Sequence, residues 1–264
     1  MKRYFWPALH SLVLVVTLIM NYLSGTGYFN NKTVGSVSNQ FDSLFQPAGY
    51  ALSIWGFIYL GLIAFVVYQW VAWMKDLPGK LGVSGVGLII ANLSNAIWVY
   101  AWLNQMLALS VVLMLMLLIS LIHYTVVNKL ELNDDPLLII FFIWWPVAFY
   151  LGWIVTASVA NVSIYLLSIG WKGLGLGPVT WTLIMIAVAT FIYLFLVFKR
   201  NMRESALVGI WALIALTVAR WEGYSLIAYS SLTCAIILFV AAGFHGSRNK
   251  NTAPHLKMKR GEWK

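Results

Sequence analysis

Apolar runs, each near the length that crosses a bilayer and broken by short polar or glycine-containing stretches, follow one another along almost the whole 264-residue chain. The runs are continuous rather than alternating, which predicts helices and not barrel strands. The first is apolar from about Leu12 to Met20. Lys2 and Arg3 precede it as in a signal peptide, but Leu23-Ser24-Gly25 is a poor cleavage site, so a retained helix is expected. A polar loop from Thr26 to Gln46 follows. Further helices are predicted from about Pro47 to Trp73, Gly82 to Leu103, Met106 to Asn128, Leu137 to Leu167, Val179 to Phe198, Ala206 to Trp221 and Tyr224 to Phe244. Pro146 lies inside the fifth of these eight, which is longer than a bilayer needs, so a kink or strong tilt is expected there. The last two are joined so tightly that they must form a hairpin.

Composition turns this pattern into a class. Hydrophobic residues make up 61% of the chain and charged residues 9%, with mean hydropathy +0.83. A soluble domain is about one quarter charged, so the fold class is an all-α integral membrane protein with about eight transmembrane helices. The net charge of +9 would suit nucleic acid if it formed a patch. Instead, of the 17 Lys and Arg residues, only Lys32, Lys172 and Arg220 fall in the loops of one side; the rest lie in the ends and loops of the other. Membrane orientation accounts for that bias: a multi-pass chain with both termini cytoplasmic, partnered by membrane lipids and not by nucleic acid. The single Cys234 cannot form an intramolecular disulfide and reads as a packing residue.

Catalytic chemistry finds little to work with. His10, His123, His245 and His255 are scattered without metal-ligand spacing, and the predicted spans contain no paired carboxylates, so neither a metal site nor an enzyme is expected. Asp134 and Asp135 read as solvated loop residues, and Arg220 and Glu222 as a local charge pair flanking the hairpin turn. The glycines of Gly170–Pro178 follow no strand and read as a flexible turn.

The fifth helix is more informative. Tyr150, Trp153, Ala157 and Asn161 share one stripe at helical spacing. An uncompensated amide in hydrocarbon is costly, so this stripe should face protein, water or a ligand. The 14 tryptophans sort by depth. Trp6, Trp70, Trp73, Trp171, Trp181 and Trp221 fall near span ends, where aromatic belts are normal. Trp55, Trp98, Trp102, Trp153 and Trp211 lie deeper. Helix packing is the default for any one of them; with Tyr59, Tyr100, Asn92 and Asn161 they could instead wall a pocket for a flat, largely apolar ligand.

These segments carry a resemblance. PAGYALSIWGFIYLGLIAF in the second helix, NLSNAIWVYAWLNQMLALSVVL in the third and fourth, and YLGWIVTASVAN in the fifth resemble the TspO/MBR family of tryptophan-rich sensory proteins, which includes the mitochondrial translocator protein. The resemblance covers roughly Leu12 to Trp171. It implies a five-helix bundle whose cavity opens beneath the first loop and takes tetrapyrroles such as protoporphyrin or haem, sterols and synthetic hydrophobic ligands. Trp55 and Tyr59 match the family's W-x-x-x-Y, Trp153, Ala157 and Asn161 its W-x-x-x-A-x-x-x-N, and Asn92 its third-helix asparagine; Trp98 joins them as a candidate wall residue. Ser53 replaces a family proline, and Asn95 and Leu107 stand where tryptophans are usual; Trp98, one turn from Asn95, offers a substitute.

The expected organisation is a TspO-like bundle over residues 1–171, three additional transmembrane helices over 172–245 and a basic cytoplasmic tail over 246–264. The leading functional expectation is a sensor, carrier or regulator in a bacterial cell membrane. It would bind a small planar hydrophobic ligand of the tetrapyrrole class, with no obligatory cofactor, and a homodimer stays open. Trp55, Trp98 and Trp153 would stack, Asn92 and Asn161 would hydrogen-bond, and Ala157 would keep the wall low. The alternatives are an eight-helix transporter or permease using Arg220 or Glu222, an enzyme degrading porphyrin, and a scaffold whose tryptophans only pack. Loose sterol patterns at Leu121/Tyr124/Lys129 and Val188/Tyr193/Lys199 recur too cheaply to decide anything.

Overall fold

The computed structural model describes residues 4–249 and 254–263; Lys2, Arg3, Lys250 and Lys264, which contribute to the basic ends, lie outside the described residues. Regular structure among the described residues is helical. Helix α1 spans Phe5–Gly25 and a short α2 spans Val34–Ser38 within the first loop. Then come α3 (Ile54–Lys75), α4 (Val86–Leu103), α5 (Leu107–Val127) and α6 (Leu137–Ser168). They are followed by α7 (Pro178–Arg200), α8 (Arg203–Arg220), α9 (Ser225–Arg248) and α10 (Pro254–Arg260).

Two element starts follow from particular residues. The helix expected from Pro47 begins later, because the Ala48 amide donates to the Ala215 carbonyl of α8 at 3.0 Å and Gly49–Ser53 then winds as a 3₁₀ turn. In α6 the irregularity expected at Pro146 is a widened, π-type turn over Ile140–Trp144, immediately before the proline. Proline has no N–H to donate and its ring crowds the carbonyl four residues back, so the preceding turn opens to accommodate it.

Among the described residues seven helices are long and apolar enough to cross a membrane; α8 is set apart because Arg203, Glu204 and Arg220 lie in its two end turns. Hydrogen bonds between connections nevertheless sort them into two sets, as eight alternating crossings require. On one side Asn128 donates to Ser84, Arg200 to Thr125 and Asn201 to Glu131. On the other, Asn30 reaches Asn104, Gln105 reaches Gln40 and Arg220 reaches Ser43 and Leu44. Helix α8 therefore runs from one set to the other, with its charges in its two end turns and none between them.

The first five crossings close a ring. Helix α1 packs on α3 and α4, α4 on α5, α5 on α6, and α6 back on α3. Helix α8 then docks on the outside of α6, with α7 and α9 packed on α8 and on each other. Small residues permit the tightest approaches, as helix association in lipid requires. A Cβ on Gly152 of α6 would lie 2.7 Å from the Ser205 carbonyl of α8, and one on Gly87 of α4 would lie 2.8 Å from the Ser120 carbonyl of α5. Helix α6, enclosed from both sides, is buried along most of its length.

The chain end folds back onto the protein. The amides of Leu137 and Leu138 donate to the carbonyls of Glu262 and Trp263, and the Lys257 ammonium is held by Asp134 and the Asp135 carbonyl. Asp134 is thus an ion-pair partner and not simply solvated, a correction to its reading from sequence. Tyr124 and Tyr193, the centres of the two loose sterol patterns, are fully buried and cannot meet a sterol from the lipid side.

Candidate functional site

Inside the ring, beneath the first loop, lies a cavity of about 110 Å³. Four indoles wall it: Trp55 from α3, Trp98 and Trp102 from α4, and Trp153 from α6. They form two groups. Trp98 stacks on Trp102 with centroids 5.6 Å apart and planes 22° from parallel. Trp55 meets Trp153 edge-on at 6.3 Å and 79°. Ala157, one turn beyond Trp153, offers only a methyl group to the cavity, and Asn161 follows one turn later.

Asn161 resolves the problem of an amide in a membrane span. Its Nδ2 donates to Ser110 Oγ of α5 at 3.0 Å, and that hydroxyl donates onward to the Leu107 carbonyl. The indole nitrogens of Trp98 and Trp153 differ: both are buried without a hydrogen-bond partner. Buried N–H donors normally find acceptors, so two unmatched ones in a single wall mark an unusual polarity.

Two residues singled out from sequence lie outside the lining. Tyr59, one turn along α3, stacks on Trp55 at 5.3 Å and 19°, and it is Trp55 that lines the cavity. Asn92 sits six residues before Trp98 on α4 and outside the lining; Thr17 of α1 donates to its backbone carbonyl at 2.9 Å, and its side-chain Oδ1 is buried without a hydrogen-bond partner. Asn95 also turns inward and accepts from Asn21 of α1 at 2.8 Å. The Asn95 side chain and the Asn92 carbonyl thus serve the α1–α4 contact, while Trp98 supplies the wall.

The roof comes from a segment with no helical periodicity to announce it. Val34, Gly35, Ser38 and Asn39, then Gln46 to Gly49, Ala51 and Leu52, close the cavity above the indoles. Six contacts fasten this lid. Trp102 Nε1 donates to the Val34 carbonyl at 3.1 Å and Gln105 bonds Gln40. From α8, Trp211 donates to the Ala51 carbonyl at 3.2 Å, and the Ala215 carbonyl accepts from Ala48. Arg220 donates through Nε to the Leu44 carbonyl at 3.0 Å and through an Nη to the Ser43 carbonyl at 2.9 Å. The expected Arg220–Glu222 pair is therefore corrected: the guanidinium is committed to loop carbonyls and Glu222 projects into solvent.

A second, larger space lies on the opposite face of α6. It is a groove of about 500 Å³ lined by Val159, Val162 and Leu166 of α6 and Trp181 and Met185 of α7. Its walls are apolar, and the Trp171 and Trp181 rings stand 4.9 Å apart at one end. The described histidine side chains take no part in either space. His10 is buried beside Phe65, His123 is exposed at the end of α5, and His245 lies against Phe198. The side chain of His255 is outside the described residues.

Together these features define a multi-pass helical membrane protein with an aromatic-walled, lidded cavity in its N-terminal five-helix ring. The chain belongs to the TSPO-like protein family, whose model matches residues 7–244. The match runs from α1 into α9 and so includes the helices that fasten the lid. No curated protein and no solved structure matches the chain.

Proposed function

We propose that the protein is a membrane-embedded binding protein, acting as a sensor, carrier or regulator, whose ligand is planar and hydrophobic and of the tetrapyrrole class. The observation that carries this reading is the convergence of four indoles from three elements of α3, α4 and α6 on one cavity, with two indole N–H groups left without acceptors. Flat apolar rings stack on indoles, and the propionate or carbonyl oxygens of a tetrapyrrole would supply the missing acceptors. Ligand sites of drug size measure about 300–1,000 Å³. A cavity of about 110 Å³ is smaller than that, so ligand entry is coupled to displacement of the lid. We also propose that the termini face the cytoplasm, as the clustering of basic residues on their side supports.

The transporter alternative has less support, since Arg220 holds loop carbonyls instead of facing a pathway. The test is a titration of purified protein with protoporphyrin, followed by tryptophan quenching. Saturable binding, weakened about tenfold or more in Trp153→Phe or Asn161→Leu, is the expected result. Equal binding by both variants and the parent, or no saturable binding at all, would defeat the assignment.

A further inference from the structure

At the end of the molecule opposite the lid, a polar cavity of about 330 Å³ lies between the α5–α6 loop, the α7–α8 turn and α10. Its described carboxyl groups outnumber its cations. Lys257, only 2% exposed, is held by Asp134 and the Asp135 carbonyl, with Glu262 at 3.7 Å, so its charge is already matched. The described lining that remains carries two carboxyl groups, Glu131 and Glu204, and one guanidinium, Arg203, so the two carboxyls cannot both ionise without a further cation.

Three acceptor oxygens in this lining make no close hydrogen bond, Glu131 Oε1, Glu204 Oε2 and Asn201 Oδ1; the two unmatched donors beside them, Trp145 Nε1 and Arg203 Nε, both act on Glu204 and leave Glu131 and Asn201 without a donor. Glu131 is 5% exposed, so water does not satisfy it. Asn201 is held in place because its Nδ2 donates to the Glu131 carbonyl at 3.0 Å, which leaves Oδ1 as a fixed acceptor. Burial of a carboxylate is tolerated when a counter-charge with matching donors accompanies it. Indoles of Trp144 and Trp145 complete the wall, a surface that also favours cations.

We propose that this cavity binds a primary ammonium group, whose charge lets both carboxyls ionise together and whose three N–H donors meet Glu131, Glu204 and Asn201. The volume suits a small organic amine. Two sources offer that chemistry: a free amine from the aqueous phase, or the ethanolamine headgroup of a phospholipid at the membrane surface where α5 ends and α6 begins.

Thermal unfolding of the full chain in aminophospholipid-free detergent micelles tests the proposal, with ethanolamine hydrochloride as probe and choline chloride, which has the charge but no N–H, at the same ionic strength. Ethanolamine should raise the melting temperature saturably and choline should not. Glu131→Gln and, separately, Glu204→Gln should each raise the half-saturating concentration at least tenfold, with circular dichroism confirming an intact helical fold. Equal effects of choline and ethanolamine, or parent-like responses from both variants, would overturn the proposal. Nanodiscs then separate the sources. If the occupant is the lipid headgroup, including phosphatidylethanolamine abolishes the response to added ethanolamine; if it is a free amine, the response matches that in pure phosphatidylcholine.

Discussion

Replacing Arg220 with alanine should loosen the lid without unfolding the bundle. The guanidinium donates two charged hydrogen bonds to the Ser43 and Leu44 carbonyls, at 2.9 and 3.0 Å, across more than half the chain length. Hydrogen bonds to charged groups are worth about 1.5–3 kcal/mol each when buried. Arg220 is only half-buried, so water replaces part of that, and about 1–2 kcal/mol for the pair is a fair discount. Since about 1.4 kcal/mol is tenfold in an equilibrium constant, lid opening should become roughly 5- to 30-fold more frequent. Hydrogen exchange read by mass spectrometry on peptides covering residues 33–53 measures this directly. The expected pattern is faster exchange in those peptides with α4 and α6 unchanged. Because the closed cavity is too small for its proposed guest, protoporphyrin should also associate faster with the variant. Unchanged protection over residues 33–53 would refute the reasoning, and faster exchange spread evenly through the bundle would show that Arg220 supports the whole fold instead.

Other outcomes follow from single sites. Gly152→Ala should lower stability by about 1–3 kcal/mol in detergent melts, because the new methyl meets the α8 backbone at Ser205. Gly56→Ala, which meets nothing within 4 Å, should be neutral or slightly stabilising. Ala157→Leu should fill the cavity and abolish saturable protoporphyrin binding while leaving the melting temperature within a few degrees, checked by the same quenching titration. Burial, reinforced by Glu204 and opposed by Arg203, holds the Glu131 carboxyl well above the usual carboxylate range. The native state therefore keeps this proton more tightly than the unfolded chain, and the parent should lose stability as pH rises above about 4.5. Glu131→Gln should flatten that slope between pH 4.5 and 8; an equally steep melting curve in the variant would count against it.

Much of the fold is legible in the sequence because a bilayer makes local pattern decisive: each crossing is specified by its own apolar run. The stripe Trp153–Ala157–Asn161 is legible for the same reason, since helical spacing alone puts its members on one face. Ser110, the partner that satisfies Asn161, lies on another helix 51 residues away, so no local pattern could name it. The lid is harder still. Its residues have no periodicity, and its fastenings join Ala51 to Trp211 and Leu44 to Arg220, separated by 160 and 176 residues. Arg220 illustrates the failure: proximity in sequence suggested Glu222, whereas tertiary packing offered it two backbone carbonyls. Asn92 lies outside the cavity lining, because a motif position gives a residue's height along the helix but not the direction it points. Trp102 was visible as a deep indole, yet only its stack with Trp98 places it in the wall.

The central claim is that the ligand sits inside the five-helix ring among the four indoles, and an experimentally determined structure of the protein loaded with protoporphyrin tests it most directly. The macrocycle should lie against Trp55, Trp98, Trp102 and Trp153, over Ala157, with the residues 34–52 lid displaced. A macrocycle lying instead in the apolar groove on the far side of α6, beside Trp181 and Met185, with the lid still closed over the indoles, would contradict it.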